Sequence, residues 1–372
     1  MYFALVALSI GWFGPYFKEI GFANAEIGIA IGVLTGSKII SPYIWGAIGD
    51  RASNRLRIVQ VGMAGSIIVA TMLLLELTFG SLCLVLLLFG LFWNAIIAQF
   101  DTLTLSYLAN QHYKYSTIRV WGSVGFILMM LASGWLFSVT TLTHLPHLII
   151  FVLVLSLLLS MALPTPKRKH VSVDRNHSIL RVLCEPVVIL FFFIVSLNQF
   201  AHGPLNVFFT LYVQDHGYTA FEAGQLWALG VFAEVILFFL IPNFIGRLDL
   251  KVLLSVSLIL TAFRWWMIAW CVDLVAVLIL IQLIHALSFG AIHAVSIEFV
   301  RRWFPDQFAG RGMALYSGLV FGAGGSLGAM SSGYAWDYLG SEVTFVIAGF
   351  ISMATAIIAQ FGLSSAKLQP QN

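Results

Sequence analysis

The sequence predicts an all-α integral membrane fold of twelve transmembrane helices in two six-helix halves. Three observations carry that reading. Of 372 residues, 60% are hydrophobic and only 9% are charged, with a mean hydropathy of +0.95. Soluble domains are about 25% charged, so the surplus apolar surface calls for lipid as its solvent. The apolar runs are twelve in number, and most reach the roughly 20 residues that cross a ~30 Å hydrocarbon core. Finally, the second half of the chain repeats a pattern found in the first.

Taken in order, the spans fall near 2–17, 25–48, 57–77, 81–109, 117–138 and 145–163, then 185–213, 221–242, 250–271, 274–300, 312–334 and 342–363. In lipid every backbone polar group must be satisfied within its own segment, which predicts helices rather than strands. The first span is short, which fits either little tilt or a start upstream of Met1. Met1 leads directly into "YFALVALSIGWFGPYF" with neither a basic n-region nor a small-residue cleavage site, so no cleaved leader is expected. Residues 1–163 form the first predicted half and 185–372 the second half with its tail. Between them "PTPKRKHVSVDRNHSILRVLC" (164–184) is the longest polar stretch and reads as a cytoplasmic linker.

Lys and Arg set the orientation. Sixteen of the nineteen lie in the even-numbered breaks or the tail, including Arg51, Arg55, Lys114, Arg119, Arg247, Arg301 and Lys367. The odd-numbered loops hold only Lys18, so both termini are expected in the cytoplasm and the protein in the inner membrane of the cell. Net charge is only +3, and no nucleic-acid partner is expected. The three cysteines (Cys83, Cys184, Cys271) lie in or beside apolar runs and read as packing residues, not as a disulfide framework.

The repeat is explicit. "GFANAEIGIAIGVLTGSK" (21–38) and "GYTAFEAGQLWALGVFAE" (217–234) align without gaps at an offset of 196, placing Gly21 on Gly217, Glu26 on Glu222, Gly28 on Gly224 and Lys38 on Glu234. A same-direction repeat of six spans is the mark of one secondary-transporter plan, with its substrate site at midplane between the halves.

The ionisable groups inside spans are few, and each costs about 2.5–3.5 kcal/mol at the bilayer centre unless paired or hydrated. They are Lys38, Asp101, Arg119 at an entry, Glu234, Arg264, and the histidines His202, His285 and His293. Repeat symmetry puts Lys38 and Glu234 at equivalent depths, where each could offset the other across a central cavity or pair within its own half. Polar residues recur at helical spacing on span 4 (Asn94, Asp101, Thr104) and on span 7 (Asn198, His202, Asn206, interrupted by Pro204). Span 10 adds His285, Phe289 and His293, four apart. Trp12, Trp227 and Phe126 are candidate flat walls for a ring-bearing solute, Trp227 lying seven before Glu234 on the same face.

"GAIGDRASNRLR" (46–57) resembles the cytoplasmic loop signature of the major facilitator superfamily, with Gly46, Asp50, Arg51 and Arg55 matching and Ser53 standing where a glycine is usual. The resemblance implies that this motif helps lock the cytoplasmic side when the transporter faces outward. "TIRVWGSVGFI" (117–127) is similar to the start of span 5 in the lactose, nucleoside and phenylpropionate permease group, and "SPYIWGAIGDR", "LWALGVFAEVILF", "FRWWMIAW" and "QLIHALSFGAIHA" look most like the phenylpropionate branch. The resemblance covers essentially the whole chain. It implies the major facilitator fold, Asp101 and Arg119 as substrate contacts, and Glu234, Arg264 and His285 as the carboxylate, arginine and histidine that serve coupling. Where the lactose permease has a proton-carrying carboxylate three residues after that histidine, this chain has Ser288, so a carried proton would fall to Glu234, Asp101 or His285.

The function expected is proton-coupled import of a small organic solute by alternating access, carried out by a monomer. Substrate contacts are expected from Lys38, Asp101, Arg119, Phe126, His202, Trp227 and Arg264, and coupling from Glu234, His285 and Asp101. Lys38, Arg119 and Arg264 against Asp101 and Glu234 leave one surplus positive charge, which favours an anionic solute such as an aromatic carboxylate over a nucleoside or sugar. The alternative is a proton-driven exporter of amphipathic compounds, although "GSVGFILMMLASG" lacks the prolines common on span 5 of such exporters. An intramembrane enzyme would need a metal pair or a nucleophile with a base. "IHALS" offers only His285 and Ser288, so no enzyme, metal or cofactor is expected. A non-transporting sensor would need a soluble output domain, which the short loops do not supply.

Overall fold

The computed structural model describes residues 1–52, 54–108, 115–164, 182–244, 249–304 and 309–363. Among them every regular element is helical. The first half consists of α1 (Tyr2–Glu19), α2 (Asn24–Arg51), α3 (Arg55–Thr71), α4 (Phe79–Leu108), α5 (Tyr115–Val139) and α6 (Leu145–Met161). The second consists of α7 (Pro186–Asp215), α8 (Ala220–Phe244), α9 (Leu250–Cys271), α10 (Val275–Trp303), α11 (Gly310–Leu339) and α12 (Ser341–Gly362). Eleven of these are long and apolar enough to cross a membrane. The exception is α1, 18 residues long, whose apolar run is diluted by Gly11, Gly14, Pro15, Lys18 and Glu19. Most of the expected linker, residues 165–181, lies outside the described residues.

Local chemistry explains the repeated motif. Gly21 and Gly217 both adopt positive φ, 101° and 87°, a conformation that side chains with a Cβ avoid. Each ends one helix and turns the chain into the next. Five residues later a glutamate caps that next helix: Glu26 Oε2 accepts from the Ala23 amide at 3.0 Å, and Glu222 Oε2 accepts from the Thr219 amide at 2.7 Å. The Thr219 hydroxyl in turn accepts from the Glu222 amide at 3.2 Å, completing a reciprocal cap. Two residues further on, Gly28 and Gly224 let backbones cross. A Cβ on Gly28 would meet the Gly333 Cα of α11 at 2.8 Å, and one on Gly224 would meet the Met130 carbonyl of α5 at 2.6 Å.

Three helices depart from regular geometry. α7 is broken into Pro186–Ala201 and Gly203–Asp215 at His202. Pro204 has no amide proton to continue the ladder. α10 and α11 each contain a π-helical stretch, Ala286–Ala291 and Ser317–Gly324. Such wider turns shift the register of the side chains that follow and are frequent at functional positions.

The buried apolar residues fall into two clusters. The larger runs from Ala4 through the first half and continues into the C-terminal half through Phe208, Phe209, Trp227, Trp265, Trp336 and Phe345. The smaller contains only residues of the second half, from Val188 and Phe191 to Phe299, Tyr316 and Leu363. The halves therefore share one core toward the loops poor in Lys and Arg, while the opposite end of the second half has a core of its own. Close backbone contacts between halves follow the same division: Gly14 meets the Val207 carbonyl, Gly28 meets Gly333, and Gly134 meets Gly224. At the extreme of that end, Asp337 of α11 caps α2 from across the seam. Its Oδ1 accepts from Asn24 Nδ2 and its Oδ2 from the Ala25 amide, both at 2.7 Å.

Candidate functional site

Lys38 and Glu234 each stand fourteen residues beyond the first residue of their helices, α2 and α8, so the repeat does place them at matching depth. They do not pair. Glu234 Oε2 lies 3.8 Å from His285 Nε2 of α10, with both side chains largely shielded. Lys38 is half-buried, and its ammonium makes no hydrogen bond or ion pair among the described residues. Its neighbour across the seam is the π-helical stretch of α11, where a Cβ on Gly322 would meet Ile39 and the Lys38 backbone.

Arg119, near the start of α5, is exposed and lies over the Phe3 ring, 3.9 Å from guanidinium carbon to centroid. Its charge reaches Tyr2 of its own half and Glu234 and His293 of the other. Asp101 on α4 is half-buried, engaged with a partner, and within electrostatic reach of the same Tyr2. Tyr2 is thus in electrostatic reach of both the carboxylate and the guanidinium, and its ring packs on Trp93 at 5.4 Å. Residues from both halves converge on one region: Tyr2, Asp101 and Arg119 from the first, Glu234 and His293 from the second.

The second half supplies a layered wall. The His285 ring stacks on Phe289 (5.5 Å, 2°), and Phe289 stacks on His293 (6.0 Å, 11°). His293 Nδ1 lies 2.9 Å from the Tyr316 hydroxyl. His202, at the α7 break, donates from Nδ1 to the Asn198 carbonyl at 2.8 Å and meets Trp265 edge-on at 4.8 Å. A cavity of about 10 Å³, room for one water, is lined by Asn198, Gln199, Phe289, His293, Tyr316 and Phe321. Arg264 is 1% exposed and bonds to neutral groups, Ser288 Oγ at 3.2 Å and Gln282 Oε1 at 2.9 Å.

Other expected contacts lie elsewhere. Trp227 is in the apolar core, its indole donating to Thr210 Oγ1 at 3.1 Å and packing edge-on against Phe209. Phe126 and Trp12 are core residues too, the latter bonded to Ser133 Oγ at 2.8 Å. Spacing of seven from Glu234 put Trp227 on a common face, but a face of α8 that deep is covered by α7. The span 4 stripe divides likewise: Asn94 Nδ2 donates to Ser37 Oγ at 2.7 Å, joining α4 to α2 beside Lys38, while Thr104 bonds its own helix. In the loop motif, Arg51 is exposed, Arg55 is half-buried and engaged, and nothing crowds Gly46. The Asp50 side chain lies outside the described residues.

Sequence reasoning missed Gln282, Tyr316 and the Asn24–Asp337 contact. Gln282 left a signal, a lone amide one turn before His285 within "VLILIQLIH". Asp337 left none, because a carboxylate near a helix end has an ordinary solvated reading. Among the described residues, no cluster of His, Cys, Asp and Glu could hold a metal.

Residues 1–347 match the MFS_1 like family. A protein of Escherichia coli (strain K12) named "Probable 3-phenylpropionic acid transporter" is 26% identical over 357 residues, 93% of this chain and 92% of the relative. The maltose permease of Geobacillus stearothermophilus is 23% identical, covering 85% of this chain and 80% of its own. Among solved structures, a crystal structure of the nucleoside transporter NupG (D323A mutant) superposes with a TM-score of 0.84 at 18% identity, over 97% of this chain and 98% of that one. A D-xylose-proton symporter superposes with a TM-score of 0.77 at 12% identity, over 100% and 98%. At these identities the structural likeness shows the fold.

Proposed function

From its place in the MFS_1 like family, to which the chain belongs, we propose proton-coupled import of a small organic anion across the inner membrane, an aromatic carboxylate in the first instance. Membership makes it a multi-pass membrane transporter of small solutes and not an enzyme. The observation that carries the finer reading is the placement of intramembrane charge. Arg119 of one half lies within electrostatic reach of Glu234 in the other, and Lys38 stands at the depth of Glu234 on the matching helix, in a molecule whose halves share a core at one end only.

In this reading the solute's carboxylate meets Lys38 and Arg119, and its ring lies along the Phe289 wall. Glu234 carries the proton. Protonation removes one negative charge as the solute's carboxylate brings another, so the loaded cavity holds the same net charge as the empty one. Solute and proton then act through their differential affinity for the two states of a rocking equilibrium. If the basic loops are cytoplasmic, the closed end faces outward and the structure is the state that releases cargo inside. The relative named for 3-phenylpropionic acid supports an aromatic acid, while those named for maltose and nucleosides define the competing classes.

The test is extracellular pH in a lightly buffered suspension of energy-depleted cells expressing the protein. Aromatic carboxylates, nucleosides and sugars are added in turn. Alkalinisation with 3-phenylpropionate, absent from vector controls, is the expected result. Entry of labelled solute without a pH change rejects proton coupling, and alkalinisation by a sugar or nucleoside alone rejects the anionic substrate.

A further inference from the structure

Arg264 is a fully buried cation whose protein partners are all neutral. Its two terminal nitrogens donate to Ser288 Oγ at 3.2 Å and Gln282 Oε1 at 2.9 Å, and its Nε has no partner. No carboxylate lies within ion-pair distance of it among the described residues, since Glu234 meets His285 instead. Removing a guanidinium from water costs several kcal/mol unless an opposite charge accompanies it.

The groups around it are chemically one-sided. Gln282 is 2% exposed, and because its Oε1 is held by the guanidinium, its Nε2 is a donor of fixed identity. That Nε2 is buried with no partner. The Ser288 hydroxyl, 0% exposed, lies within 3.4 Å of the His285 carbonyl. Trp265 stands 5.0 Å from the guanidinium carbon and covers one side. Two unpartnered N–H donors beside an uncompensated cation suit an anion. A metal ion would be repelled, and a water would satisfy donors but leave the charge. Arg264 and Gln282 are too enclosed to admit a ring-bearing solute without rearrangement, which limits the ligand to a compact ion.

We infer that Arg264 and Gln282 form a binding site for a small monovalent inorganic anion of the halide class, within the second half and between α9 and α10. The bound ion supplies the counter-charge that the protein withholds and stabilises the α9–α10 contact. This reading does not depend on which solute is carried.

The test uses the full-length protein in lipid nanodiscs. Its melting temperature is measured in sodium chloride against sodium gluconate at constant ionic strength, with 3-phenylpropionate as a separate addition. A saturable rise of several degrees in chloride and bromide, absent in gluconate, is expected. Gln282→Glu places a carboxylate within reach of the guanidinium, so it should fold, melt at or above the wild type in gluconate, and lose the chloride response. Equal melting of the wild type in chloride and gluconate overturns the site. So does a Gln282→Glu variant that still responds to chloride, or a wild type that responds to 3-phenylpropionate alone.

Discussion

In the proposed mechanism Glu234 carries the proton, and it faces His285 at 3.8 Å rather than a permanently charged partner. Glu234→Gln is therefore expected to abolish uphill accumulation while sparing solute exchange, read by counterflow in vesicles. Unchanged accumulation would remove its proton role. Lys38 has no partner among the described residues, so Lys38→Gln should leave stability nearly intact and weaken an anionic solute roughly tenfold, the worth of a charge-assisted hydrogen bond. Equal weakening of anionic and neutral solutes in competition assays would argue against direct contact. The membrane depth of these residues was legible because an ionisable group in an apolar run is costly wherever it stands. Their partners were not. Symmetry matched Lys38 to Glu234 in depth, but depth does not determine which helix face turns toward the seam, and α10 reaches Glu234 first.

At the scale of elements, the G-x4-E-x-G pattern was legible as a repeat but not as what it does. The structure resolves it into a left-handed turn, a helix cap and a close crossing, three local requirements that recur because both halves meet the same seam. Gly224→Val places a branched side chain where even a Cβ would stand 2.6 Å from the Met130 carbonyl. That variant should keep α5 and α8 apart at this end, reducing uptake by an order of magnitude or more while substrate still binds. Normal uptake with normal expression would show that the crossing is dispensable. The α7 break was readable from Pro204. The π-helical stretches of α10 and α11 were not, since a one-residue widening leaves hydrophobic periodicity almost unchanged over so short a run.

For the whole molecule, the fold class and the six-plus-six plan followed from apolar run length and the repeat, and the family and structural likenesses agree. Which end the halves share did not follow from the sequence, because both halves are apolar along their whole length; it emerges only from where they touch. The Asp337 clasp on α2 must open if the opposite state is to form, so N24C/D337C joined by a disulfide should arrest transport, and reductant should restore it. Uptake that persists in the cross-linked protein would mean that this seam does not move.

The unequal sharing of the two apolar clusters bears on how the protein is made. The first half reaches the bilayer earlier, yet the core it packs into is finished by Phe208, Trp265, Trp336 and Phe345, all encoded later. Until those helices arrive, one flank of the early half is without its partner surface, a natural point for insertion factors to hold it or for quality control to remove it. The smaller cluster lies wholly within the later half and can set on its own schedule. Defects along the shared seam should therefore lower the amount of protein that matures, whereas defects in the smaller cluster should show in what the mature protein withstands.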